Sequence, residues 1–74
     1  MVKNDSIYGF EVAYEENAAQ GASHLRNDLD REEARVFFDQ ARTKGTAHFE
    51  DDEERQYALM YQNGGYVLVR RERN

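Results

Sequence analysis

Glu50, Asp51, Asp52, Glu53 and Glu54 form an unbroken acidic run, the densest concentration of ionisable side chains in the chain. Carboxylates at such density suit two kinds of chemistry: holding a cation or attracting a basic partner. A calcium loop alternates its oxygen ligands and inserts a glycine for the sharp turn, as in the D-x-[DN]-x-[DN]-G spacing. Here the acids are consecutive and no glycine interrupts them. Neighbouring side chains on an extended segment point to opposite sides, so few of these oxygens converge on one ion. The run therefore reads as a solvated loop whose functional use is electrostatic contact with a basic partner. No metal is expected.

His24 and His48 are the two histidines, and Ser6 and Ser23 the two serines. Either histidine has the chemistry of a general base or a ligand, but His24 falls in a polar stretch and His48 in a short strand opposite Ala47 and Phe49. Neither serine lies in a nucleophile-elbow context. There is no cysteine, which removes thiol catalysis, disulfides and cysteine-rich zinc sites together. Gly64-Gly65 sits between two strand-like segments and not at a strand-to-helix junction, so it is no phosphate loop. No pair of acids is marked as a catalytic pair with separated pKa values. The expectation is a protein without enzymatic activity and without a cofactor.

Tyr57, Tyr61 and Tyr66 fall on neighbouring strand-like segments, and Arg70, Arg71 and Arg73 follow them. Aromatic rings on a sheet beside arginines can stack single-stranded bases. That makes nucleic-acid binding through these six residues an alternative reading. The competing reading packs the three rings beneath a helix against Phe37 and Phe38. The net charge of −5 favours it, because binding by counterion release needs a cationic face.

The elements that must position these groups are partly explicit. Asp30 and Glu33 have capping-box spacing, and Ala34, Phe37, Phe38 and Ala41 recur at i, i+3, i+4, i+7 before Gly45, a left-handed stop. Acids near the start and Arg42 and Lys44 near the end complement the helix dipole. The spacing predicts a helix over 31–44 with one apolar stripe. Ile7–Glu15, Thr46–Glu50, Arg55–Tyr61 and Tyr66–Arg70 alternate as strands, and Asn63-Gly64 is a type I′ hairpin signal. Residues 16–29 are small and polar with no strong period, and are expected to form a long loop pinned by Leu25 and Leu29. Residues 71–74 are expected to fray.

The expected fold class is α+β, in the order β-α-β-β-β, with one helix packed on a mostly antiparallel four-stranded sheet in a single domain over 1–74. The first strand is free to join at an edge or beside the last strand. One helix covers one face, so Met60, Val67 and Val69 are expected on a second face available to a partner. The helix–meander order resembles the central part of double-stranded RNA-binding domains in the order of elements alone. Their C-terminal helix and basic N-terminal turn have no counterpart here, and no family follows.

With 74 residues, the chain buries roughly 60% of its unfolded surface. Small scaffolds add disulfides, metals or partners to that margin, and without cysteine a protein partner or self-association is the expected support. Nine aromatic residues argue against disorder. Val2, Lys3, Asn4 and Asp5 begin no apolar run, and no segment has the length of a membrane span, so a cytoplasmic protein is expected. Together these features point to a small non-enzymatic interaction or regulatory module, in its sharpest form an acidic inhibitor that fills the nucleic-acid groove of a basic partner. Beside the nucleic-acid alternative stands a third reading, an accessory subunit of an enzyme.

Overall fold

The Asp30 side chain accepts a hydrogen bond from the Glu33 amide at 2.9 Å, and Glu33 returns one to the Asp30 amide at 3.0 Å. This closed capping box starts helix α2, Arg31–Lys44, and Gly45 ends it at φ 92° with its amide bonded to the Ala41 carbonyl. Both ends lie where the local chemistry places them. Ala34, Phe38 and Ala41 are buried and Phe37 is half-buried, so the expected stripe is the inward face. Arg35 and Asp39 pair at 3.5 Å on the exposed side, where such a contact contributes little.

The computed structural model describes residues 2–71. Its fold is α+β, with strands β1 (Val2–Ile7), β2 (Phe10–Glu15), β3 (Thr46–Glu50), β4 (Gln56–Gln62) and β5 (Gly65–Arg71). They form one five-stranded sheet in the order β1-β2-β5-β4-β3. All pairs are antiparallel except the central β2–β5 pair, where Val12 lies opposite Tyr66 and Tyr14 opposite Leu68. This mixed sheet replaces the expected four-stranded one, and it settles the place of the second strand beside the last. Arg71 closes β5, so the expected fraying does not begin there, and residues 72–74 lie outside the described residues.

The extra strand comes from a turn that the alternation conceals. Ile7–Glu15 is not one strand: Tyr8 and Gly9 make a two-residue turn at φ 51° and 86° that pairs Ile7 with Phe10. Both central residues have positive φ, the hand that matches strand twist. Tyr8 is an unusual occupant, and its hydroxyl donates to the Leu29 carbonyl at 2.8 Å. The Arg26–Asp5 ion pair ties β1 to the same segment. The Asn63-Gly64 hairpin is as expected, with φ 50° and 83° and Gln62 opposite Gly65.

Residues 16–29 correct the expectation most. A 3-10 turn, Glu16–Ala18, runs into helix α1, Ala19–Ser23, and then into a π-helical turn, His24–Asp28. The Leu29 amide bonds to the His24 carbonyl, an i→i+5 bond that closes the π turn. Ala18, Gly21, Ala22, His24 and Leu25 are buried. These small residues, which imitate a loop in the sequence, bring helix backbone down onto the sheet. A Cβ at Gly21 would lie 2.7 Å from two ring carbons of Tyr57.

Both helical segments cover the same face of the sheet. Beneath them lie Ile7, Val12, Tyr14, Ala47, Phe49, Tyr57, Leu59, Tyr66 and Leu68. Phe10 stacks on Phe38 at 4.3 Å, and Tyr66 meets Phe38 edge-on at 4.9 Å. Rings placed this way add to their area burial. Among the described residues, no helix is long and apolar enough to cross a membrane.

The contact at Gly21 yields a test. Gly→Ala inside a helix ordinarily stabilises by up to about 1 kcal/mol, but here the added methyl collides with the Tyr57 ring. Gly21→Ala is expected to lower stability by about 1–3 kcal/mol, the usual cost of overpacking, read as a lower urea midpoint. A midpoint equal to or above wild type would show that the helix does not sit this close.

Candidate functional site

Asp51 leads the acidic run yet turns inward. It is 8% exposed, and its Oδ1 accepts hydrogen bonds from the Glu53 amide at 2.9 Å and the Arg55 amide at 3.0 Å. Its Oδ2 accepts from Arg55 Nε at 2.7 Å and from the Tyr57 hydroxyl at 2.9 Å. Four donors on one carboxylate fold the loop between β3 and β4. Burial by itself would raise the Asp51 pKa, but the side chain and amide of Arg55, the Tyr57 hydroxyl and the Glu53 amide outweigh it. The carboxyl is held at about 2, below its ordinary 3.8. Burial, then its bond to Asp51, pushes the Tyr57 phenol up, and the separate bond from Arg55 to Asp51 pushes the guanidinium up.

The rest of the run is solvent-facing. Asp52, Glu53 and Glu54 are exposed on the loop, with Glu54 at φ 64°. Glu50 is exposed at the end of β3 and accepts a hydrogen bond from the Gln56 side chain. The five acids therefore divide into one internal anchor and four surface charges.

The other candidate residues are dispersed. Tyr57 is fully buried and Tyr66 is 7% exposed, while Tyr61 is half-buried with the Arg42 guanidinium 6.0 Å from its ring centre. Tyr57 and Tyr66 belong to the core beneath the helices, and Tyr61 packs against its edge. Arg70 and Arg71 are exposed at the end of β5, and Arg73 lies outside the described residues. Of the five that are described, Tyr57 and Tyr66 face the core while Arg70 and Arg71 are exposed, so these five do not share one surface.

Two further features bear on function, the first invisible in the sequence alone and the second expected there from Met60, Val67 and Val69. The first is the convergence of the π turn on the acidic loop. His24 Nδ1 lies 3.0 Å from Asp28 Oδ2, and donor atoms of His24, Asp28 and Asp52 all lie within 4.8 Å of one another. A cleft of about 390 Å³ opens beside them, lined by Asp28 and Asp52 together with Gln20, Ser23, Asp51, Glu53 and Arg55. His24 and Asp28 are four apart, the spacing that places two side chains together on a helix. That signal is invisible while the segment is read as a loop.

The second feature is the sheet face opposite the helices. Strand register places Val2, Ala13, Val67, Val69, Ala58 and Met60 there, with Glu11, Glu15, Glu50, His48 and Arg71 toward its margins. Val2 is 57% exposed, and with Ala13, Val67 and Val69 it lines a shallow apolar groove of about 180 Å³. No family model, curated protein or solved structure matches the chain, so the reading of these features rests on their physical chemistry.

The Asp51 network predicts acid sensitivity of a definite sign. Because its folded pKa lies below the unfolded value, the folded state binds fewer protons between them, and stability falls as pH falls. The contribution, about 2 kcal/mol, is complete above about pH 5 and lost as pH drops through 3.8 toward 2. Asp51→Asn should remove that part of the acid dependence, and Tyr57→Phe should cost about 1 kcal/mol at neutral pH. Urea midpoints at pH 7, 4 and 2.5 test both, and an unchanged pH profile in Asp51→Asn would overturn the assignment.

Proposed function

We propose that the chain is a small non-enzymatic interaction module that binds a basic protein partner across the open face of its sheet. The observation that carries this reading is the face itself. Both helical segments pack on one side, and the apolar side chains of Val2, Val67, Val69 and Met60 remain on the other. A contiguous apolar surface rimmed by charge is the usual form of an association site.

Size and charge select the partner. Strands about 4.8 Å apart and about 17 Å long give five strands a face of roughly 400 Å². A standard interface uses about 800 Å² per partner, so the margins must contribute. Those margins carry Glu11, Glu15 and Glu50 against Arg71, and the exposed acids of the β3–β4 loop adjoin β3 and β4. A second copy in two-fold contact would meet the same acidic rim. A basic partner would meet it with attraction, which raises association rate and specificity. An inhibitor of a basic groove is the sharper form of this function.

Val67→Lys places a charge in the middle of the face, and Glu53→Gln with Glu54→Gln weakens the rim. The native mass of the purified chain is measured first, followed by capture of basic proteins at low and high salt. The expected result is a monomer whose basic partner binds about tenfold or more weakly with Val67→Lys and loses salt sensitivity in the rim variant. Partner binding unchanged in a folded Val67→Lys, or a stable homodimer occupying the face, would refute the proposal.

A further inference from the structure

We propose that His24, Asp28 and Asp52 bind one divalent transition-metal ion, clamping the acidic loop to the π turn. The donor set is one imidazole nitrogen and two carboxylates, drawn from two separate elements. Nitrogen beside oxygen is the ligand chemistry of zinc, manganese, cobalt and ferrous iron, whereas calcium and magnesium take oxygen alone.

The geometry is close to what such an ion requires. Two ligands about 2.1 Å from an ion and at right angles to each other are separated by about 3 Å. His24 Nδ1 and Asp28 Oδ2 already stand 3.0 Å apart. In the metal-free pair this is a hydrogen bond; on binding, the ring proton resides on Nε2 and the Nδ1 lone pair meets the ion. The Asp52 carboxylate, exposed on its loop, has only a small distance to close.

The histidine is held in advance. Its side chain is 10% exposed, and its ring lies nearly parallel to Phe49, 6.0 Å away at 11°. Little rotational freedom remains to be lost on coordination. A surface His–Asp pair on a helix needs neither this burial nor a third donor from another element.

Local charge favours a cation as well. Among the described residues Arg55 is the one cation lining the cleft, and its guanidinium is already engaged by the buried Asp51 carboxylate. Asp28, Asp52 and Glu53 leave the cleft wall negative. Its volume of about 390 Å³ accommodates the waters that would complete a three-ligand site. None of the three residues lies on the open sheet face, so the inference does not require a partner there.

The test uses the full chain after chelator treatment, with Co²⁺ and Zn²⁺ as probes. Co²⁺ should give a visible d–d absorption band at one equivalent, and saturating Zn²⁺ should raise Tm by about 5 °C or more. Mg²⁺ and Ca²⁺ at the same concentration should leave Tm unchanged. Asp52→Asn alters only an exposed side chain, so it should fold as wild type and weaken Co²⁺ binding at least about tenfold. His48→Gln, which removes the other histidine, should bind as wild type. Absence of the Co²⁺ band, equal binding in Asp52→Asn, or loss of binding in His48→Gln would each overturn the proposal.

Discussion

The arrangement of the molecule depends on how Tyr57 is held near the start of β4. Its ring lies directly beneath Gly21 and stacks with Phe49 at 5.3 Å, while its hydroxyl reaches Asp51 at 2.9 Å. One side chain thus sets the distance between α1 and the sheet and draws the first acid of the loop inward. Both consequences meet at the cleft. With the helix flush against the ring, the following π turn stands over the β3–β4 loop, and the inward Asp51 leaves Asp52 facing it. A residue with a polar tip and an apolar body suits this place, because the ring is desolvated and the hydroxyl still needs an acceptor. Asp51 provides one and gains a donor in return.

A chain of this length has material for two layers, and both helical segments go to the same side. That choice builds one dense core of aromatic rings, with Phe10, Phe38, Tyr61 and Tyr66 in successive contact. Among the described residues it also leaves the opposite face of five strands without a second layer. The parallel β2–β5 pair at the centre belongs to the same logic. It joins the N-terminal hairpin to the C-terminal meander through Val12, Tyr14, Tyr66 and Leu68, which all point under the helices. Pairing at the other edge would have left Val12 and Tyr14 without those neighbours.

Elements specified by local chemistry were legible in the sequence. Helix α2 announces itself by its capping box and its left-handed glycine, and the last hairpin by Asn63-Gly64, because few residues satisfy those backbone demands. The first hairpin was not legible, since Tyr8 continues the alternation of Phe10, Val12 and Tyr14 straight through a turn. Its stability comes from a distant acceptor, the Leu29 carbonyl. The stretch from Glu16 to Asp28 was missed for a related reason. Its alanines and Gly21 lack the bulky stripe that reveals an amphipathic helix, yet smallness is what close approach to Tyr57 requires. For the site, composition exposed the acidic run but could not separate Asp51 from its neighbours, because that separation is made by donors from Arg55 and Tyr57. Nor could it join His24 to Asp28, whose proximity exists only once the segment is helical.

The acidic loop therefore carries two kinds of charge in consecutive residues. Asp51 is compensated within the fold, and its contribution is to loop geometry. Asp52, Glu53 and Glu54 face solvent and repel one another, adding field without any side-chain bond that the fold requires. A field of this kind would serve both the proposed ion in the cleft and the proposed basic surface alongside the sheet, and both would draw on the same carboxylates. Two ligands sharing one set of charges are coupled, and the coupling free energy is the same read from either side. An ion held by Asp28 and Asp52 would remove negative charge from the rim and so weaken attraction to a basic partner, while its clamp on the loop would reduce the ordering cost of that contact. The two effects oppose each other. At high salt the first would be screened and the second would not, so added salt would move the coupling toward the clamp's side.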